Sequence, residues 1–245
     1  DALNDIRNME LSIAEVKKNG GHAQGGISYT TSPVHTVEGF ADMAKTLEEK
    51  GCDSICIKDM AGLISPKIAT DLVTAIKAKV SIPISLHSHC SSGMAPMSYQ
   101  AAAEAGISIL DTAFTAFSWG TSQPPTESVA AAFKDTPYDT GLDLAKLFEI
   151  GEYFLGVRNK YKSLLQEETL RPSINVLLHQ VPGGMISNLI NQLKEQNAVH
   201  RLPEVLEELP KVRADLGYPP LVTPSSQVLG IQAVLNVLMG KRYKM

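Results

Sequence analysis

Short β-branched runs alternate with amphipathic stretches from residue 1 to about residue 135, at a spacing of roughly 30 residues, which is the period of a β-α unit. The runs predict strands over His22 to Tyr29, Asp53 to Lys58, Ile82 to His89 and Ile107 to Thr112, each followed by a helix-like segment. Between the first two, Val37, Phe40, Ala44 and Leu47 recur at steps of three and four and stop near Gly51. Ser65 and Pro66 supply an N-cap and a first-turn proline for a helix carrying Ile68, Leu72 and Ile76. Helices packed on a parallel sheet are the expected result.

Beyond residue 140 helical periodicity takes over, from Leu142 to about Leu164, from Met185 to Gln196 and from Pro203 to Leu216. A last helix is predicted with Thr223 as cap, Pro224 at its first position and Gly240 as terminator, placing Val228, Ile231, Leu235 and Leu238 on one face. Glycine and proline mark the joins at Gly141, Pro182-Gly183-Gly184 and Gly217-Tyr218-Pro219-Pro220, without a linker long enough to separate independent bodies. The expected division is 1–140 and 141–245, the second region packing on the first.

The chain has 245 residues, 44% hydrophobic and 20% charged, as a folded protein requires. Its 22 basic and 26 acidic residues give a net charge of −4, which offers no footprint for a nucleic-acid backbone. No apolar run reaches the length of a membrane span and no apolar signal core opens the chain. Cys52, Cys56 and Cys90 are too few for a disulfide framework and fit a reducing cytoplasm.

Chemistry concentrates at two strand ends. In Ser85-Leu86-His87-Ser88-His89, alternation along a strand points Ser85, His87 and His89 to one face and Ile84 and Leu86 to the other. Two imidazoles on one face at the end of a barrel strand are either metal ligands or polar residues at a strand mouth. In Ile57-Lys58-Asp59-Met60-Ala61-Gly62, the same alternation turns Ser54, Cys56 and Lys58 inward. A lysine buried there would have a depressed pKa, which would make it a nucleophile able to form a Schiff base or a carbamate. Pairing with Asp59 or another carboxylate is the plainer alternative. Thr121 and Ser122 read by themselves as a polar turn before Pro124. Cys90 is expected to point away from His89, Cys56 to pack, and His35 to lie in a loop near a ligand; His179, His200 and Trp119 carry no assigned chemistry.

Taken together, Lys58-Asp59-Met60-Ala61-Gly62, His87-Ser88-His89 with Ser92-Gly93, and Gly120-Thr121-Ser122-Gln123-Pro124 resemble the carboxyltransferase domain of biotin-dependent enzymes. That family includes the carboxyltransferase subunit of pyruvate carboxylase, the α subunit of oxaloacetate decarboxylase and transcarboxylase. Further matches run along nearly the whole chain, at Asp1-Ala2-Leu3-Asn4-Asp5, Tyr29 to His35, Gln180 to Met185 and Tyr218 to Pro224.

The resemblance implies an α/β fold, a TIM (β/α)8 barrel with a mainly helical region at its mouth, and carboxyl transfer between carboxybiotin and pyruvate or oxaloacetate through a metal-stabilised enolate. It implies that His87 and His89 bind a divalent metal (Zn, Mn or Co), that Lys58 joins them as a carbamate, and that Thr121 carries a proton between pyruvate and biotin. Biotin would arrive on a carrier domain. Membrane pump subunits are conceivable partners, a homo-oligomer is expected, and the location is cytoplasmic, peripheral to a membrane complex if a pump is involved.

Two features depart from the family pattern. The R-D-x-x-Q-S motif of an earlier barrel segment, whose aspartate would be a further metal ligand, does not occur, nor does an A-M-K-M biotinylation site. A TIM barrel has eight strands and commonly about 250 residues, whereas these strands would build only its second half, so the 245 residues alone are expected to be inactive. Two rival functions remain: a metal-dependent aldolase or acyl-CoA lyase on the same barrel, and a non-catalytic assembly fragment that docks a biotin carrier.

Overall fold

The computed structural model describes residues 1–165, 170–174, 176–177 and 183–244, with the backbone alone of residues 183, 184, 186 and 187. Its order begins α1 (Glu10–Lys18), β1 (Gln24–Ser28), α2 (Val37–Glu49), β2 (Ser54–Asp59), α3 (Pro66–Lys77), β3 (Ile84–Ser88), α4 (Ala95–Glu104) and β4 (Ile109–Leu110). There follow α5 (Thr126–Phe133), α6 (Leu144–Lys160), α7 (Gly183–Glu195), α8 (Leu202–Asp215) and α9 (Ser225–Leu238).

Local chemistry sets these helices. The Thr36 hydroxyl accepts from the Gly39 N–H to open α2, and the Ser65 hydroxyl accepts from the Ile68 N–H ahead of Pro66 to open α3, as predicted. The four strands are parallel in the order β1-β2-β3-β4, each neighbour reached through a helix. Ser28, Lys58 and His87 lie side by side in one row of this ladder. The strands are shorter than expected, β4 most of all. It has one partner strand, β3, although the Ser108 and Asp111 N–H groups still donate to the Ile84 and Leu86 carbonyls, each at 3.0 Å.

The first core fills the space between sheet and helices. Ile55, Ile57, Ile84 and Leu86 point out of the strands onto Phe40, Ala44, Leu47, Leu72, Ile76 and Tyr99 of α2, α3 and α4. A second core joins Met185, Leu189 and Leu193 of α7 to Val205, Leu209 and Val212 of α8 and Leu229, Ala233 and Val237 of α9. Helix α6 sits between them in sequence but packs on α5 and on the turn Thr115–Phe117, where Phe114 and Phe154 stack at 5.2 Å. This four-stranded sheet with its helices is a fragment of a TIM barrel followed by a helical region.

The last helix departs from its predicted form. It starts at Ser225, with Pro224 preceding it and no side-chain cap, and the Ser225 hydroxyl instead donates to the Val222 carbonyl at 2.7 Å. The stripe of Val228, Ile231 and Leu235 is exposed, and only Leu238 of that stripe joins the core. Small residues make the true inner face: a Cβ on Gly230 would stand 3.1 Å from Leu189 and 3.2 Å from Met185, so the helices close where the side chain is smallest.

Candidate functional site

Parity along β3 brings the histidines together at the C-terminal end of the sheet. Leu86 is buried against the helices, and His87 and His89 turn the other way with their Nε2 atoms 3.3 Å apart. Strand pairing ends at Ser88, so His89 stands just beyond it, at the start of the turn Cys90–Ser92. Its N–H donates to the Asp59 carbonyl at 3.0 Å, which continues the β2–β3 ladder by one step.

Each imidazole is held from behind through Nδ1. His89 Nδ1 lies 2.6 Å from the Thr121 carbonyl, which can only accept, so Nδ1 carries the proton and Nε2 keeps its lone pair. His87 Nδ1 lies 2.9 Å from Asp111 Oδ2, with the same consequence. Burial, then the neighbouring His87, push His89 down to about 4 against the opposing pull of the Thr121 hydrogen bond, so it is neutral at pH 7. The Gln123 side-chain amide donates to His87 Nε2 at 3.2 Å.

The string Gly120 to Pro124 is both a turn and a wall of this site. The Ser122 N–H donates to the Trp119 carbonyl at 2.9 Å, and the Cys90 N–H donates to the Ser122 carbonyl at 2.7 Å, which fastens the turn to the histidine loop. Thr121 faces a cavity of about 290 Å³ that Met60 and His89 line from the sheet and Met185, Leu189 and Val222 from the helical region.

Lys58 occupies the row beside His87 but is exposed, in contrast to the buried amine that the sequence suggests. It sits at the open mouth of the sheet. The alternative, pairing with Asp59, is also absent: Asp59 lies on the opposite strand face, fully buried, and accepts from the Leu63 and Ile64 N–H groups at 2.9 and 2.8 Å and from the Ser88 hydroxyl at 2.8 Å. Asp59 therefore ties the loop after β2 to β3 directly behind the histidines.

The pair fits a divalent cation. Two neutral imidazoles on one ion, each about 2.0–2.1 Å from it at an angle of about 90–109°, have their nitrogens about 2.9–3.4 Å apart; the observed Nε2 separation is 3.3 Å. Among the described residues no group of three or more His, Cys, Asp or Glu side chains is arranged to hold a metal, so further ligands would have to be of another kind or come from outside them.

Residues 4–153 match the HMGL-like family and residues 176–245 a conserved carboxylase domain. The chain belongs to the HMGL-like family. It is 59% identical over its whole length to the B subunit of pyruvate carboxylase from Methanothermobacter thermautotrophicus, and covers 43% of that relative. Identity to the methylmalonyl-CoA carboxyltransferase 5S subunit of Propionibacterium freudenreichii is 47%, again over the whole chain and 48% of the relative. Among solved structures, the carboxyl transferase domain from Rhizobium etli pyruvate carboxylase with pyruvate and biocytin superposes with a TM-score of 0.89 at 32% identity, covering 99% of this chain and 41% of that one. The family likeness carried by the lysine, histidine and threonine strings is borne out, and the chain spans less than half the length of these relatives.

Of the sequence candidates, His87, His89 and Thr121 meet at one place and Lys58 stands beside them. Asp111 and Gln123, which touch His87, were not singled out by the sequence, although Asp111 lies within the strand predicted over Ile107 to Thr112. Cys90 is fully buried, its thiol pushed up to about 12 by burial. His35 bonds Ser32 Oγ through Nδ1 at 2.7 Å and stacks on Phe40. His179 and the Gln180-Val181-Pro182 string lie outside the described residues. Among the described residues no helix is long and apolar enough to cross a membrane.

Proposed function

We propose that this chain forms the metal-binding sheet face and the helical cover of a biotin-dependent carboxyltransferase that moves a carboxyl group between carboxybiotin and pyruvate or oxaloacetate. The observation that carries this reading is the convergence of His87 and His89 Nε2 at 3.3 Å beside the cavity that Thr121 lines. The names of the relatives and the carboxylase domain over residues 176–245 favour carboxyl transfer over an aldolase or acyl-CoA lyase reaction.

In this reading His87 and His89 would hold a divalent ion, and Lys58, carboxylated on its amine, would add a carbamate oxygen. Such an ion, when bound, would supply Lewis-acid stabilisation of the negative charge that develops on the keto oxygen as pyruvate becomes its enolate. Asp111 and the Thr121 carbonyl orient the two imidazoles, and Gln123 reaches the same point. The Thr121 hydroxyl carries the proton between the pyruvate methyl and the biotin nitrogen. Lys58 stands at an exposed mouth, where carbon dioxide can reach its amine.

Biotin would enter on a carrier domain, and the cavity between sheet and helical region is where its ring would meet the keto acid. The division of labour follows the proposed division near residue 140, with Met185, Leu189 and Val222 closing the cavity from the second region. A cytoplasmic homo-oligomer fits this activity, and a membrane pump partner belongs only to its decarboxylating form. The test is carboxyl transfer between biotin and pyruvate by the complete enzyme, together with its metal content. Loss of both in His87→Ala and His89→Ala is expected; undiminished transfer in both variants would refute the reading.

A further inference from the structure

Outside the ligand candidates themselves, one partly exposed side chain bonds directly to a histidine of the site. Asp111 follows β4, opposite the end of β3. Its Oδ2 meets His87 Nδ1 at 2.9 Å, and its Oδ1 accepts from the Ser85 hydroxyl at 3.3 Å. Ser85 and His87 are neighbours on one face of β3, so a single carboxylate spans both. The backbone of Asp111 is pinned as well. Its N–H donates to the Leu86 carbonyl at 3.0 Å, and its carbonyl accepts from the Tyr99 hydroxyl at 2.6 Å. Tyr99 is fully buried in α4, and its hydroxyl oxygen accepts in turn from the Ser88 N–H at 3.1 Å.

These bonds have a chemical consequence for His87. A neutral imidazole has one N–H and one lone pair, and the partner of one nitrogen decides which nitrogen keeps the lone pair. A carboxylate only accepts, so Asp111 places the proton on Nδ1 and keeps the lone pair on Nε2, which faces His89 and accepts from the Gln123 amide. Its negative charge also raises the electron-donating power of Nε2. Ser85 restrains the carboxylate through Oδ1, and Tyr99 fixes the Asp111 backbone from which it projects.

We infer that Asp111 is the positioning residue for His87, setting its tautomer and ring orientation so that Nε2 can ligate a divalent cation, and that Ser85 and Tyr99 hold Asp111 for this purpose. The inference rests on the metal reading of the histidine pair given above, but its tautomer component can be tested without any metal.

Asp111→Asn is the decisive variant, because it keeps the size of the side chain while offering an N–H where only acceptors stood. In the complete enzyme, Co²⁺ affinity measured against a competing chelator should weaken about 10–100-fold, with the thermal unfolding midpoint close to that of the parent. Asp111→Glu should restore some of it, and Ser85→Ala should give a smaller loss. In metal-free enzyme labelled with ¹⁵N-histidine, His87 should show the Nδ1–H tautomer in the parent and the Nε2–H tautomer in Asp111→Asn. Parent-like Co²⁺ affinity together with an unchanged His87 tautomer in Asp111→Asn would overturn the inference. A parent enzyme that binds no divalent ion would sink the metal reading instead, while a tautomer switch in the same experiment would still establish the hold of Asp111 on His87.

Discussion

The Arg213 guanidinium on α8 donates to the Thr30 hydroxyl at 2.7 Å and to the Thr31 carbonyl at 3.1 Å, joining the helical region to the loop that leaves β1. A further donation to the Pro219 carbonyl at 3.2 Å fixes the turn that leads into α9. Arg213 is buried, so the fork satisfies groups that water does not reach. The cavity beside His89 has walls from both regions, and this fork helps to hold them in place.

Arg213→Ala should therefore destabilise the chain by about 1–3 kcal/mol, the cost of leaving buried acceptors unpaired. Arg213→Lys should recover little, because a single ammonium cannot span three acceptors. Chemical unfolding of the complete enzyme measures the loss. An Arg213→Ala protein as stable as its parent would show that the helical region is held by its apolar contacts alone.

Gly62 in the lysine string is fixed by its surroundings. Its φ is +69°, and a Cβ there would stand 2.5 Å from the His89 carbonyl. Gly62→Ala must then strain the backbone by about 1–2 kcal/mol and displace the His89 turn as well. We expect a lowered unfolding midpoint and reduced metal content together. A variant that keeps full metal content would show that the His89 turn tolerates the shift.

The inward parity of Lys58, Ser85, His87 and His89 was legible because a strand has period two whatever packs against it. The carboxylate behind His87 was not. Asp111 is one acidic residue after a short apolar run, and only the pairing of β4 with β3 shows that it lies opposite His87. The Val228, Ile231 and Leu235 stripe misled for a different reason. Helical period marks the large apolar residues, whereas close helix contact in α9 selects Gly230 and Ala233, which a hydrophobic pattern passes over. Alternation turns Lys58 inward but does not say what covers that face; among the described residues the sheet has four strands and Lys58 is exposed.

Glu208 gives the helical region an acid sensitivity of definite sign. Burial would raise its pKa, but hydrogen bonds from Asn236 and Arg242, with the charges of Arg242 and Lys211, outweigh burial and hold it below its ordinary value. A carboxyl lowered on folding contributes stability that is present above its unfolded pKa, about 4.3, and is lost as pH falls through the folded value. Glu208→Gln should lower the unfolding midpoint at pH 7, and the gap to the parent should shrink below about pH 4 as the parent loses the same charge. A gap that is constant from pH 7 to pH 3 would mean that ionisation of Glu208 contributes nothing.

Thr121 touches the site twice, and the two contacts can be separated. Its carbonyl holds His89 Nδ1 at 2.6 Å, a bond that any residue at this position can make, whereas only its hydroxyl can carry a proton across the cavity. Thr121→Ala should keep metal content and fold, because the backbone bond survives. Turnover in transfer between biotin and pyruvate should fall about 10²- to 10⁴-fold, the range for removing a positioned proton-transfer group. The KM for pyruvate should move far less, since the hydroxyl acts mainly in the transition state. Thr121→Ser should retain much of the rate, as it keeps the hydroxyl. His87→Ala differs by losing metal along with turnover. Near-normal turnover in Thr121→Ala would leave Thr121 acting only through its carbonyl on His89 and would pass the proton to another hydroxyl lining the cavity, with Ser91, Thr223 and Ser226 the side chains to replace next.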